Sequence, residues 1–122
     1  MLIKIESESQ VPLFLQLRRQ IVEGIVRGEL KPGEQLPSVR QFAVDLGINF
    51  HTVNKAYSAL EAEGFVKIYG RKGVVVAELP PYDTAFLQEL EESLASLFLE
   101  AKGRGVAPEL FETLIRRAMN KN

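Results

Sequence analysis

Residues 47–65 run GINFHTVNKAYSALEAEGF, and the fold turns on this stretch. Val53, Ala56, Tyr57 and Leu60 recur at spacings of three and four, the mark of one apolar helix face, until Gly64 ends the pattern. Asn49 offers an N-cap, with Thr52 nearby. At about 100° per residue, the opposite line carries His51, Lys55, Ser58 and Ala62, with Thr52 and Asn54 on its flanks. This outward set is short, polar and free of acid until Glu61. A solvated face usually mixes Lys with Glu, whereas reading base edges needs compact donors and acceptors such as Asn and His. From the helix alone, solvent, a ligand, a metal and a DNA groove all stay open.

Working upstream, SVRQFAVDLG (residues 38–47) opens on a capping-box pattern. Ser38 can accept from a first-turn amide while Gln41 reaches back. Val39, Phe42, Ala43 and Leu46 form its inward stripe, and Gly47 can take the left-handed conformation that stops it. Two short helices joined by a tight glycine-containing turn form a helix-turn-helix signature. KPGEQLP, residues 31–37, reads as a turn-rich connector. Before it, Pro12 suits the first turn of a helix whose stripe is Phe14, Leu17, Ile21 and Ile25, with Arg18, Arg19, Glu23 and Arg27 outside it.

Downstream, FVKIY and VVVAE flank the turn GRKG (residues 70–73) and predict a β-hairpin. Three helices followed by a hairpin is the order of a winged helix. ELPPYDT then reads as a hinge. From a cap at Asp83, Leu87, Leu90, Leu94, Leu97 and Ala101 alternate spacings of three and four, widened by Phe86 and Phe98, with Gly103 and Gly105 as stops. A last helix begins near Pro108 and carries Leu110, Phe111, Leu114, Ile115 and Ala118. The expected class is α+β. A winged helix-turn-helix spans residues 1–77, a linker 78–84 and a helical dimerisation segment 85–122.

Composition removes several functions. With 122 residues, the chain can bury one modest core plus an appended element. It has no Cys and one His, so thiolate chemistry and a multi-His metal site within one chain are out. A metal shared by His51 and carboxylates across a dimer would have to occupy the outward helix face. No apolar run reaches the roughly 18 to 20 residues of a membrane span, and the first ten residues lack a signal-peptide layout. A cytoplasmic protein is the expectation. The acidic last helices disfavour a membrane surface. None of the motifs GxxxxGK[ST], GxSxG or HExxH occurs, so no enzyme and no cofactor are expected. Net charge is -1, but unevenly spread. Residues 1–77 carry 10 basic and 8 acidic side chains, residues 78–122 carry 5 and 8, so a polyanion would bind the first segment.

Residues 28–77 carry GELKPGEQLPSVR, then LGINFHTVNKAY, then LEAEGF and a glycine-containing turn. In this order they resemble the DNA-binding domain of the GntR family of bacterial transcription regulators. With the first helix included, the match covers residues 11–77. The short helical tail looks most like the YtrA subfamily, whose C-terminal segment dimerises. The resemblance implies that Arg40 contacts guanine or phosphate, and that Asn49, Phe50, His51 and Thr52 face the groove. A surface arginine bonded to a carboxylate is the plainer alternative for Arg40. Some relatives have arginine where this chain has Phe50 and Asn54. Phe50 has two places open to it, the core edge or a thymine methyl, and His51, Asn54 and Lys55 are left to set sequence preference, with Ser58 also presented to the groove. In the wing, Gly70 permits a tight turn that presents Arg71 and Lys72 to the minor groove. A merely solubilising basic turn is the alternative.

One such module makes few phosphate contacts, so two copies on one body are needed for avidity. The leucine stripe cannot be buried by a two-helix tail alone, which makes Phe86, Leu87, Leu90, Leu94, Leu97, Phe98, Phe111 and Leu114 the expected dimer contacts. The alternative is a tail folded back on its own winged helix. The expected function is a sequence-specific transcription regulator, a repressor in sense, on a pseudo-palindromic double-stranded operator. The rival is a winged-helix protein-interaction module without DNA binding, favoured by the slightly negative net charge and the missing arginines. Any small-molecule effector would act at the dimer interface or the hinge.

Overall fold

The computed structural model describes residues 2–70 and 73–122. Its elements run α1 (Leu13–Val26), β1 (Gln35–Leu36), α2 (Val39–Leu46), α3 (Phe50–Ala62), β2 (Val66–Ile68), β3 (Val74–Val76), α4 (Thr84–Gly103) and α5 (Pro108–Asn120). They fall into two units, Met1–Pro80 and Pro81–Asn122.

In the first unit, Gly47 ends α2 at φ 65. The Ile48 amide donates back to the Ala43 carbonyl at 3.1 Å, which closes the helix end. Asn49 then caps α3, its side-chain oxygen accepting from the His51 amide at 2.7 Å. At the start of α2 only half of the expected capping box forms. Ser38 Oγ accepts from the Gln41 amide at 3.1 Å, but the Gln41 side chain donates forward to Asp45 at 2.6 Å. A charged acceptor one turn on wins over the N-cap amide.

The core is built where the helical spacing places it. Leu17, Ile21 and Ile25 of α1, Phe42 and Ala43 of α2, and Val53, Ala56, Tyr57 and Leu60 of α3 are buried together. Phe14, Val39 and Leu46 pack at its edge. The Phe42 and Tyr57 rings lie 6.0 Å apart, and the Tyr57 hydroxyl donates to the Pro37 carbonyl at 2.7 Å. That bond lets a polar tip sit in the interior without a desolvation penalty.

Two features go beyond the sequence reading. Gln35–Leu36, inside the expected connector, forms β1, so the sheet has three strands in the order β1-β3-β2. Leu36 pairs with Val74, and Val66 and Ile68 of β2 face Val76 and Val74 in the antiparallel hairpin. The N-terminal stretch also packs, through Ile3 and Ile5. Gln16, buried in α1, accepts from the Glu6 amide and donates to the Glu6 and Val11 carbonyls, while Gln20 brackets Lys4 in the same way. Two glutamine side chains thus replace a neighbouring strand for this extended segment.

In the second unit, Asp83 caps α4 by accepting from the Phe86 amide at 2.8 Å. The helix continues through Gly103, which corrects the expected stop there. Gly105, at φ 87, is the residue that turns left-handed, and the Val106 amide closes onto Ala101. Pro108 opens α5, and Phe98 meets Phe111 edge to face at 5.3 Å. Neither helix has a buried residue.

Candidate nucleic-acid interface

With Val53, Ala56, Tyr57 and Leu60 fully enclosed, α3 is fixed in rotation, and its other side must face water. His51, Asn54, Lys55 and Ser58 are exposed there, and Thr52 is half-buried at the first turn. The nearby acids are engaged elsewhere. Glu61 accepts from the Ile68 amide at 2.8 Å, tying α3 to β2, and Glu63 forms a two-pronged ion pair with Arg18 of α1. That pairing raises the Arg18 pKa further, chiefly through the hydrogen bond to Glu63, so Arg18 is a structural cation. Burial raises the Tyr57 hydroxyl pKa well above the phenol range and keeps it a neutral donor.

Arg40 is exposed on α2, and among the described residues it has no carboxylate partner. Its guanidinium carbon lies 5.7 Å from the centre of the Phe50 ring. Phe50 stands edge-on to the His51 ring, at 5.5 Å and 80°. It is 41% exposed and borders a shallow recess with Ala43, Val44, Gly47 and Ile48. The turn therefore brings Arg40, Phe50 and His51 into one tier at the start of α3. Asn49 belongs to the same turn, with its side-chain oxygen already used as the cap.

Lys55 departs from a simple outward reading. Its ammonium lies 4.1 Å from the centre of the Phe14 ring on α1, a cation–π contact that draws the charge to one flank. Phe14 is a site-adjacent residue that the sequence reading placed only in the core stripe. In the wing, Gly70 at φ 58 and Gly73 at φ 91 make the turn, with the Tyr69 amide donating to the Gly73 carbonyl at 2.8 Å. Arg71 and Lys72 lie outside the described residues.

On the tail, Phe86, Leu87, Leu90, Leu94 and Leu97 of α4 and Leu114 of α5 are exposed, while Phe98 and Phe111 partly cover each other. Leu94, Leu97, Phe111, Leu114 and Met119 line one open apolar groove. Met119 is an addition to the expected face; as the last apolar residue of α5 it continues the Phe111–Ile115 row by one turn.

Three helices, a short antiparallel sheet, and an exposed α3 face cleared of carboxylates define a winged helix-turn-helix protein. The gntR family of bacterial regulatory proteins matches residues 13–76. The HTH-type transcriptional repressor YtrA of Bacillus subtilis is 32% identical over 94% of this chain and 90% of its own length. The chain therefore belongs to the GntR family, with a YtrA-like extent that includes the tail. A solved structure described as a transcriptional antiterminator from Listeria monocytogenes superposes with a TM-score of 0.88 at 30% identity, over 98% of this chain and 90% of that one. The DNA-binding domain of AraR in complex with operator ORE1 superposes at 0.53 and 25% identity, over 63% of this chain and 94% of that one.

Proposed function

We propose that the protein reads double-stranded DNA as a homodimer and acts in the bacterial cytoplasm as a transcriptional repressor on a pseudo-palindromic operator. The observation that carries this is the α3 face: its apolar side is fully enclosed, and its exposed side from His51 to Ser58 holds donors and acceptors with no carboxylate. Such a face suits the edge of base pairs in a major groove, where donors and acceptors distinguish sequence. The operator complex of AraR and the repressor role of YtrA support the reading.

In this assignment residues 1–77 bind DNA, 78–84 link, and 85–122 dimerise. Arg40, Asn54 and His51 meet base edges, with Phe50 beside them. Asn49 and Thr52 serve the backbone, since short polar groups at a helix start reach phosphates well, and Ser58, further along α3, meets the backbone or flanking bases. Lys55 serves a phosphate at the flank to which Phe14 draws it. Gly70, Arg71 and Lys72 form the wing's approach to the minor groove. The leucines and phenylalanines of α4 and α5 pack against a second copy, which makes the second half-site an intramolecular contact.

The test is a titration of the full chain on duplex DNA across salt. A reader that neutralises several phosphates loses affinity steeply, by a factor on the order of 10³ or more between about 50 and 200 mM salt for six or more phosphate contacts. Weak, salt-insensitive and sequence-independent binding would instead favour a protein-interaction module.

A further inference from the structure

We propose that Phe50 is a positioning residue, a pedestal that holds the Arg40 guanidinium ready for one guanine, and that it reads no base itself. The inference rests on the assignment of Arg40 to a base edge. It turns on the aromatic ring at the first residue of α3.

The geometry separates Arg40 from the other polar side chains around it. Arg18 is held by Glu63, Gln41 by Asp45, and Lys55 by the Phe14 ring on the far flank. Arg40 alone of this group meets an aromatic face at the turn itself, 5.7 Å from the Phe50 centroid, inside the range of a cation–π contact. A carboxylate partner would compete with guanine for the same N–H fork. A ring binds the guanidinium through its face and leaves the in-plane donors free for the O6 and N7 acceptors of guanine.

The pedestal is itself held. The backbone of Phe50 follows the Asn49 cap, and its ring is abutted by the His51 ring at 5.5 Å. It also borders the recess formed by Ala43, Val44, Gly47 and Ile48, against which it is partly covered. A flexible arginine pays rotamer entropy when it docks, and a preformed cation–π contact removes part of that cost before DNA arrives. His51 in this arrangement steadies the ring as well as facing the groove.

The experiment uses the full chain and a duplex enriched by it from a random library, with each base pair of that duplex substituted in turn. Arg40→Ala, Phe50→Leu, Phe50→Tyr and the Arg40→Ala/Phe50→Leu pair are compared. Phe50→Leu is expected to weaken discrimination by roughly 2- to 5-fold, the worth of an exposed cation–π contact, at the same guanine that Arg40→Ala flattens. The double variant should lose nothing beyond Arg40→Ala, and Phe50→Tyr should restore the wild-type pattern with an unchanged melting temperature. The pedestal is overturned by a Phe50→Leu effect at a different base pair, by an effect equal on all duplexes, or by one that vanishes when a thymine is replaced by deoxyuracil. If Arg40→Ala flattens a position and Phe50→Leu does not, the pedestal alone fails. If Arg40→Ala flattens none, the base assignment of Arg40 fails with it.

Discussion

The two units of this chain dispose their apolar residues in opposite ways. In the first, Leu17, Ile21, Val53, Ala56, Tyr57 and Leu60 are fully enclosed. In the second, no residue of α4 or α5 is buried, and Leu94 and Leu97 stand 43% and 59% exposed. Enclosing a leucine stabilises by about 1.5–3 kcal/mol, so a row of half-open leucines is unused stabilisation. The first unit closes its core with its own residues, and the polar face of α3 is among what it leaves outside. What the second leaves outside is apolar. A wet polyanion fits the one surface, and a like apolar face fits the other.

The comparison breaks most visibly if the tail is made polar. Leu94→Glu combined with Leu114→Glu should give a monomer in sedimentation velocity and lower affinity for a two-half-site duplex by about 10²- to 10⁴-fold, the scale of lost avidity. A variant that remained dimeric would remove the tail from the interface. A matched pair of truncations sharpens the contrast next. In denaturant unfolding of the winged helix, Leu17→Ala should cost about 2–5 kcal/mol through the cavity it leaves. Leu97→Ala should change the same transition by no more than about 0.5 kcal/mol, as a surface substitution does, while weakening self-association.

Tyr57→Phe is expected to cost about 1–3 kcal/mol, because the Pro37 carbonyl loses its buried donor. It also has a pH signature. Burial raises the Tyr57 pKa above its ordinary 10.0, so folding favours the neutral phenol. That contribution is complete below pH 10.0 and is lost as pH rises beyond it. Wild-type stability should therefore fall faster than that of Tyr57→Phe in alkaline unfolding, by at most about 1.4 kcal/mol per pH unit. A small effect also belongs to Arg18 and Glu63, partly exposed at the α1–α3 junction. A double-mutant cycle there should give about 0.2–1 kcal/mol, reduced by salt.

What could be foreseen from the residues follows from how local each signal is. The helices were legible because their apolar spacing and caps at Ser38, Asn49 and Asp83 lie within a turn or two of one another. The hairpin was legible because branched runs flank two glycines. β1 was not, since Gln35 and Leu36 are too few to show a period, and their pairing is with Val75 and Val74 far along the chain. The N-terminal packing has no local mark, because Gln16 and Gln20 act on the backbone of a distant segment. At the candidate site, the outward set of α3 could be read from helical geometry. The cation–π contacts of Arg40 with Phe50 and of Lys55 with Phe14 could not, because each joins residues from different helices.

In the proposed function α3 reads sequence, and two copies do so together. Sequencing the duplexes that the full chain retains from a random library tests both at once. An enriched inverted repeat of two half-sites about one helical turn apart is expected, with a guanine in each that Arg40→Ala makes interchangeable. Retained duplexes with no common sequence, or with a single unrepeated half-site, would contradict it.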